Sequence, residues 1–358
     1  MPPLRRLRPH ASLARQRLKK HLYRHRPLLL SAIVLAPISA QPALAPGAGF
    51  DLARGEIVSF VDEVVARDSL DRNAVLALLA SAQPQPKIID LINRPAERVL
   101  SWWEYRAHFL TERRIAEGTQ FWLDHRETLE RIASERGVAP EYIVAILGAE
   151  TYYGRITGRY RVIDSLATLA FDYPPRGEYF RAELEQFLLL VREENIDPLT
   201  VTGSYTGAMG ALQFMPSNYR RYAVDANTDK HRDLWTDWDD VIASVANYLH
   251  EHGWEAGAPV LAEAKLDPDP SFQIGNAHRI ELNQTIESLN AHGVKVETDV
   301  PPDTAAVLVS AEQRDGPAYR VGFKNFYVIT RYNGSARYAM AVYDLAQAIT
   351  QRVHGTEP

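Results

Sequence analysis

Cysteine is absent from this sequence. Disulfides, thiolate nucleophiles and cysteine-ligated zinc are therefore excluded, and a core must hold by packing alone. No His-Glu-x-x-His pair, Gly-x-Ser-x-Gly elbow or glycine-rich phosphate loop occurs. Their absence argues against zinc peptidase, elbow-serine and nucleotide chemistry. The eleven histidines are mostly scattered, which disfavours a histidine metal cluster. Internal repeats and low-complexity tracts are missing. So is an apolar run long enough to span a bilayer with ease.

Acidic residues are missing from the first segment of the chain. Residues 1–26 hold nine Lys or Arg and neither Asp nor Glu, and the apolar run Leu28–Ala36 and small residues up to Ala45 follow. A basic stretch, a short apolar run and an Ala-x-Ala pattern read as an export signal over 1–45. Pro46 makes that cut awkward, so cleavage after Ala40 is the alternative. No Cys follows the run, which excludes a lipid-modified mature N-terminus and predicts a periplasmic protein. Losing nine positive and no negative charges takes the formal net charge from -5 to -14. So acidic a protein is not built for nucleic acid, whose phosphates need a basic surface.

The 358 residues suffice for roughly two or three domains. Apolar periodicity predicts helix over 50–82, 110–136, 140–153, 178–194, 240–252 and 336–353. Residues 155–177 read mainly as loop. Between 258 and 325 the runs become short and β-branched. Ala305–Ser310 and Ala318–Phe323 flank Asp315-Gly316, a hairpin signal. The expectation is a mainly α protein with a small β insertion. Its parts are the signal at 1–45, a helical region at 46–257, the insertion at 258–325 and a segment at 326–358 that returns to the core.

Pro140 to Gly154 carries the sharpest chemical signal. Proline at a helix start and glycine past its end bracket one helix. At 3.6 residues per turn, Ile143, Ile146, Leu147 and Glu150 share a face. A carboxylate on an apolar face is poorly solvated when ionised, so it is expected to hold its proton near neutral pH. That is what a general acid at a glycosidic bond requires. The bland alternative is a core glutamate paired with Arg155 or Arg159.

A second stretch, Gly203 to Tyr219, is glycine-rich and includes Gln213 and Phe214. Amides suit sugar hydroxyls and aromatics suit ring C–H faces, although glycines also merely punctuate loops. Similar residues recur at Tyr105, Tyr248, Tyr332, Asn333 and Tyr338, and any one aromatic is more often core. A third stretch, Asp225 to Trp235, spaces oxygen side chains at Asp225, Asn227, Asp229 and Asp233 as a calcium loop does. Lys230 stands where such loops carry Gly, and Thr236 where they carry Glu. Asp239 or Asp240 would supply the last ligand; an Asx-rich turn is the alternative.

Together these motifs resemble the lytic murein transglycosylase B family (family 3 lytic transglycosylases, glycoside hydrolase family 103). The resemblance runs from about Asn93 to Ala348. It rests on Gly148–Arg155, Leu166–Pro174, Tyr179–Phe187, Gly203–Tyr219, Ser244–Tyr248 and Phe326–Asn333. It implies a lysozyme-like helical core with a substrate groove. It implies that Glu150 alone, as acid and then base, cleaves between N-acetylmuramic acid and N-acetylglucosamine to leave a 1,6-anhydro ring. Substrate contacts would fall to Tyr105, Arg176, Ser204, Gln213, Phe214, Tyr248, Tyr332, Asn333 and Tyr338. The family pairs two arginines where this chain has Pro175-Arg176. Asp240 matches the last calcium ligand better than Asp239, so Asp225, Asn227, Asp229, His231 and Asp240 form the implied set. Calcium would be structural only, and catalysis needs no cofactor. The partner is peptidoglycan, met by a monomer working alongside other cell-wall enzymes. Two rivals remain. A muramidase using water would need a second carboxylate about 5–9.5 Å away, with Asp164 and Asp172 as candidates. A non-catalytic wall-binding protein would need none.

Overall fold

The computed structural model describes residues 49–93, 100–268, 271, 274 and 280–356. The expected export signal lies outside them. Helices α1 (Gly55–Asp68) and α2 (Arg72–Ser81) occupy the stretch expected as one helix. Ser69 adopts a left-handed φ of 54° between them, and Asp71 caps α2 by accepting the Ala74 amide at 2.7 Å. After α3 (Pro86–Ile92), α4 (Trp102–Phe109) starts in a capping box formed by Ser101 and Glu104. His125 likewise divides the expected helix 110–136 into α5 (Glu112–Asp124) and α6 (Arg126–Arg136).

Helix α7 (Pro140–Thr151) is buried on every side from Tyr142 to Gly148, so it is central rather than amphipathic. Strand β1 (Tyr160–Arg161) leads into α8 (Val162–Phe171), where the sequence reads as loop. Every residue of α8 is buried, including Asp164, Ser165 and Thr168. Its polar residues share one face, but that face is covered too: Asp164 accepts the Gln83 amide and Thr168 the Gln85 amide, each at 2.9 Å. The helix packs on α9 (Gly177–Glu194). Strand β2 (Thr202–Gly203) pairs with β1, and α10 (Pro216–Tyr222) and α11 (Trp238–Glu251) follow.

The β part comprises β3 (Leu261–Leu266), β4 (Gln284–Thr285), β5 (Val294–Val296), β6 (Ala305–Ser310) and β7 (Tyr319–Gly322), with α12 (Ile286–Ala291) between β4 and β5. The sheet is antiparallel in the order β4-β6-β7-β3-β5. The expected hairpin forms: Val307 faces Gly322 and Ser310 faces Tyr319 across β6 and β7. Alternation along β6 splits its side chains between two cores. Ala306 and Leu308 join a small cluster with Leu289 of α12, whereas Val307 and Val309 join the main helical core. Helix α13 (Lys324–Tyr332) and α14 (Ala336–Thr356) close the fold, and α14 packs across α4, α5 and α7. Among the described residues no helix is long and apolar enough to cross a membrane.

Candidate active site

The C-terminal end of α7 is built around a tight turn. Tyr152, Tyr153 and Gly154 all have positive φ, at 55°, 59° and 78°. Two consecutive left-handed tyrosines are uncommon and need outside support. The Tyr153 ring supplies some of it by lying against two glycines. A Cβ on Gly118 would fall 2.3 Å from the Tyr153 hydroxyl oxygen, and one on Gly148 2.5 Å from it. That hydroxyl donates to the Arg114 carbonyl at 2.8 Å. Thr151 does the rest: it donates to the Ala211 carbonyl at 2.8 Å and accepts the Gly154 amide at 3.0 Å. The turn thus fastens α7 to the Gly203–Tyr219 stretch. Periodicity could not reveal these anchors; only their adjacency to Glu150 hinted at them.

Glu150 emerges at this end half-buried, one turn beyond fully buried Ile146 and Leu147. The Tyr338 hydroxyl, from α14, donates to Glu150 Oε1 at 2.5 Å. The bond fixes the carboxyl's orientation, and it becomes charge-assisted once the carboxyl is ionised. The sequence expectation rested on apolar surroundings alone, and the tertiary structure adds this donor. Arg155 forms its ion pair with Glu117 at 2.9 Å instead.

An aromatic group stands beside the pair. Phe214, Tyr248 and Tyr332 form a triangle, with ring centroids 5.5 Å apart for Phe214–Tyr248, 5.8 Å for Phe214–Tyr332 and 4.9 Å for Tyr248–Tyr332. The hydroxyl of Tyr332 donates to the Leu212 carbonyl at 2.7 Å and that of Tyr248 to the Arg331 carbonyl at 2.6 Å. Burial first, and then the charge of Glu150, raises the phenols of Tyr332 and Tyr338 well above the usual range. Both stay protonated and act as donors. Tyr105 is buried on α4 and near enough to affect Tyr338. The sequence missed His252, whose ring stacks on Tyr248 at 4.1 Å.

The remaining expected residues are placed less alike. Gln213, at a left-handed φ of 53°, donates through its amide nitrogen to the carbonyls of Thr157 at 2.9 Å and Gly210 at 3.1 Å. Ser204 is buried, and its hydroxyl accepts the amides of Thr206 and Ala208 at 3.2 and 3.1 Å. These bonds give it a loop-shaping task. Asn333 is buried directly after α13. Arg176 lies over the rings of Tyr179 and Phe180. A cavity of about 450 Å³ lies elsewhere, lined in part by Glu194, Tyr219, Arg232 and Trp235, and contains none of these residues.

The Asp225–Asp240 loop is held by its own side chains. Asp225 accepts the amides of Asp229 and Lys230 at 3.2 and 2.9 Å, and Asp229 accepts that of His231 at 2.8 Å. Asp240 is buried and accepts the amides of Ala226 and Asp233 at 2.7 and 2.8 Å. Lys230 takes a left-handed φ of 76°, the conformation that glycine supplies at no steric cost. Among the described residues no three His, Cys, Asp or Glu side chains stand together as a ready metal site. The donors are nonetheless all oxygen, which fits a hard cation.

Residues 53–347 match a family described as the transglycosylase SLT domain. The chain belongs to this family. It is 39% identical over 299 residues to the membrane-bound lytic murein transglycosylase B of Escherichia coli K12, covering 81% of each protein. Its fold is similar to that of the catenated lytic transglycosylase SltB1 from Pseudomonas aeruginosa, with a TM-score of 0.80 and 43% identity. That match covers 84% of this chain and 99% of the other. The Escherichia coli lytic transglycosylase Slt35, solved in complex with calcium, matches with a TM-score of 0.78 and 38% identity over 86% of this chain and 97% of its own. The transglycosylase is thus a lytic enzyme of peptidoglycan with a mainly helical, lysozyme-like fold.

Proposed function

We propose that the transglycosylase cleaves the β-1,4 bond between N-acetylmuramic acid and N-acetylglucosamine with Glu150 as its one acid/base. The Tyr338–Glu150 bond beside the aromatic triangle is the observation that carries this reading. Protonated Glu150 gives its proton to the glycosidic oxygen as the C1–O bond breaks. The resulting carboxylate then takes the proton of the muramic 6-hydroxyl, and O6 closes on C1 as the 1,6-anhydro ring. Glu150 ends protonated, and water is not consumed. Aromatic faces at Phe214, Tyr248 and Tyr332 suit sugar rings, while Tyr105, Arg176, Ser204, Gln213 and Asn333 complete the groove.

Hydrolysis by a second carboxylate is less well supported. Asp164 accepts two bonds from Arg161, at 2.9 and 2.7 Å, and the Gln83 amide at 2.9 Å. Asp172 pairs with Arg54 at 2.7 Å. Both candidates are thus engaged in holding the fold. Mass spectrometry of products from purified sacculi tests the choice. Anhydro-muropeptides are expected, and reducing ends without them would establish hydrolysis.

Tyr338→Phe is expected to lower kcat with little change in KM. A hydrogen bond to a charged group contributes about 1.5–3 kcal/mol, which corresponds to roughly tenfold to a hundredfold in rate. An unchanged kcat would remove Tyr338 from the catalytic arrangement.

In this reading the protein works in the periplasm as a monomer, alongside other cell-wall enzymes. Calcium, if bound, is held by Asp225, Asn227, Asp229, the His231 carbonyl and Asp240, and serves the fold alone. Saturating calcium should then raise Tm relative to chelator, since a ligand of the native state stabilises it by mass action. Equal melting temperatures would sink the calcium reading.

A further inference from the structure

The proposed mechanism makes no use of the cavity of about 450 Å³. Its size falls within the roughly 300–1,000 Å³ typical of small-ligand sites. The end of α9 supplies Glu194 to its wall, β2 supplies Thr202, α10 supplies Tyr219, and the loop before α11 supplies Arg232 and Trp235. Ala211 stands between that loop and the catalytic helix. Its amide donates to the Leu234 carbonyl at 2.8 Å, and its carbonyl accepts the Thr151 hydroxyl at 2.8 Å. The cavity is therefore separate from the groove at Glu150.

Its charged groups are already engaged by protein partners. Arg232 donates through Nε to Glu194 Oε1 at 2.7 Å, and its amide donates to Glu194 Oε2 at 3.1 Å. Asp233 Oδ1 accepts the amides of Trp235 and Thr236 at 2.7 and 3.1 Å, and its Oδ2 accepts the Thr236 hydroxyl. A ligand here meets no unpaired carboxylate or guanidinium, so an uncharged one fits best. What stays open is polar without fixed charge: among the described residues no hydrogen bond engages the Thr202 hydroxyl or the His231 ring.

Apolar surface lies beside these groups. Trp235 is partly exposed, and its ring centroid lies 5.8 Å from that of buried Tyr219. The Tyr219 hydroxyl donates to the Arg232 carbonyl, which fixes this floor. Ile196 and Val201 continue the wall, and Leu199 at its edge is 44% exposed. An aromatic face ringed by free polar groups suits a pyranose, which carries C–H bonds on its faces and hydroxyls on its rim. The apolar wall suits the methyl of an acetamido group.

We infer that this cavity binds an N-acetylated amino sugar of a glycan strand. The inference rests on the peptidoglycan-cleaving reading above and gives the enzyme a second hold on its polymer. Two weak holds on one polymer exceed either alone, because the second forms at high local concentration. A short soluble substrate that fills the groove gains nothing from it.

An NMR titration of the Glu150→Gln chain with chitobiose reads binding directly. Calcium is kept constant, because the cavity borders the Asp225–Asp240 loop. The indole N–H signal of Trp235, assigned by its loss in Trp235→Phe, should shift and saturate. Cellobiose, which lacks the acetamido group, should leave it in place. A signal unmoved by millimolar chitobiose overturns the inference, and an equal shift with cellobiose overturns the assignment to an N-acetylated sugar. In the same Glu150→Gln background, Trp235→Ala should weaken binding to sacculi by about tenfold, a modest share of what a second contact can add. In the active chain it should leave turnover of a soluble tetrasaccharide muropeptide unchanged. Thr202→Val, which removes only the free hydroxyl, gives the same comparison if Trp235→Ala does not fold. Undiminished sacculus binding in a folded variant overturns the inference. So do equal losses on sacculi and tetrasaccharide, since a groove defect touches both. Anhydro products from the parent would stand in each of those cases. The titration in turn uses a variant without turnover, so it holds even if the products prove hydrolytic.

Discussion

Glu150→Gln is expected to release anhydro-muropeptides from sacculi at least about a thousandfold more slowly than the parent, within the range that general acid–base groups supply. Glutamine keeps the shape and can still accept the Tyr338 hydroxyl that reaches Oε1 at 2.5 Å. It cannot give or take the proton. Both halves of the proposed reaction use this one group, so no second carboxylate should rescue it. Binding to the wall should persist, because the aromatic triangle is untouched. Sacculus sedimentation measures the binding, and mass spectrometry of the supernatant measures the turnover. A variant that clears murein as fast as the parent would show that another residue is the catalyst.

Gly148→Ala is expected to cost stability beside the site, although alanine is the better helix former. The new Cβ would lie 2.5 Å from the Tyr153 hydroxyl oxygen and 2.7 Å from Cζ. The ring cannot swing away, because Gly118 closes on its other side and the hydroxyl is bonded to the Arg114 carbonyl. Alanine gains roughly 0.8–1.0 kcal/mol of helix propensity over glycine, whereas overpacking costs about 1–3 kcal/mol. With contacts this short the upper end applies and the clash wins. A net loss of about 2 kcal/mol should lower Tm by roughly 3 °C in a chain of this length, since the unfolding entropy is about 2.1 cal/mol/K per residue. Activity should fall with it, since Glu150 lies two residues further along the same helix. Calorimetric melting decides the matter: a Tm at or above that of the parent would mean that Tyr153 has room to move.

Local signals in the chain were legible where they are spelled by neighbours in sequence. Pro140 and the following apolar residues announce α7, and Asp315-Gly316 between β-branched runs announces the β6–β7 hairpin. Chain breaks without proline were not legible. Ser69 and His125 divide helices because of the conformations they adopt, and neither residue type is a strong breaker. Helix α8 was hidden for a different reason: it is short and mostly apolar between loop signals, and its polar residues Asp164, Ser165 and Thr168 are buried with the rest.

Around Glu150 the division is sharper. The chain alone marked out a carboxylate at the end of an apolar helix and, through its motifs, a family whose members cleave murein. It could not place Tyr338 on that carboxylate, since the two are 188 residues apart and meet only because α14 packs across α7. Nor could it assemble Phe214, Tyr248 and Tyr332, which come from a loop and two helices. Residue types and local periods are written in sequence because they depend on short-range dihedrals and burial patterns. The hydroxyl that orients an acid, or the ring that carries a guanidinium, depends on which distant surfaces the core brings together, and only the tertiary structure decides that.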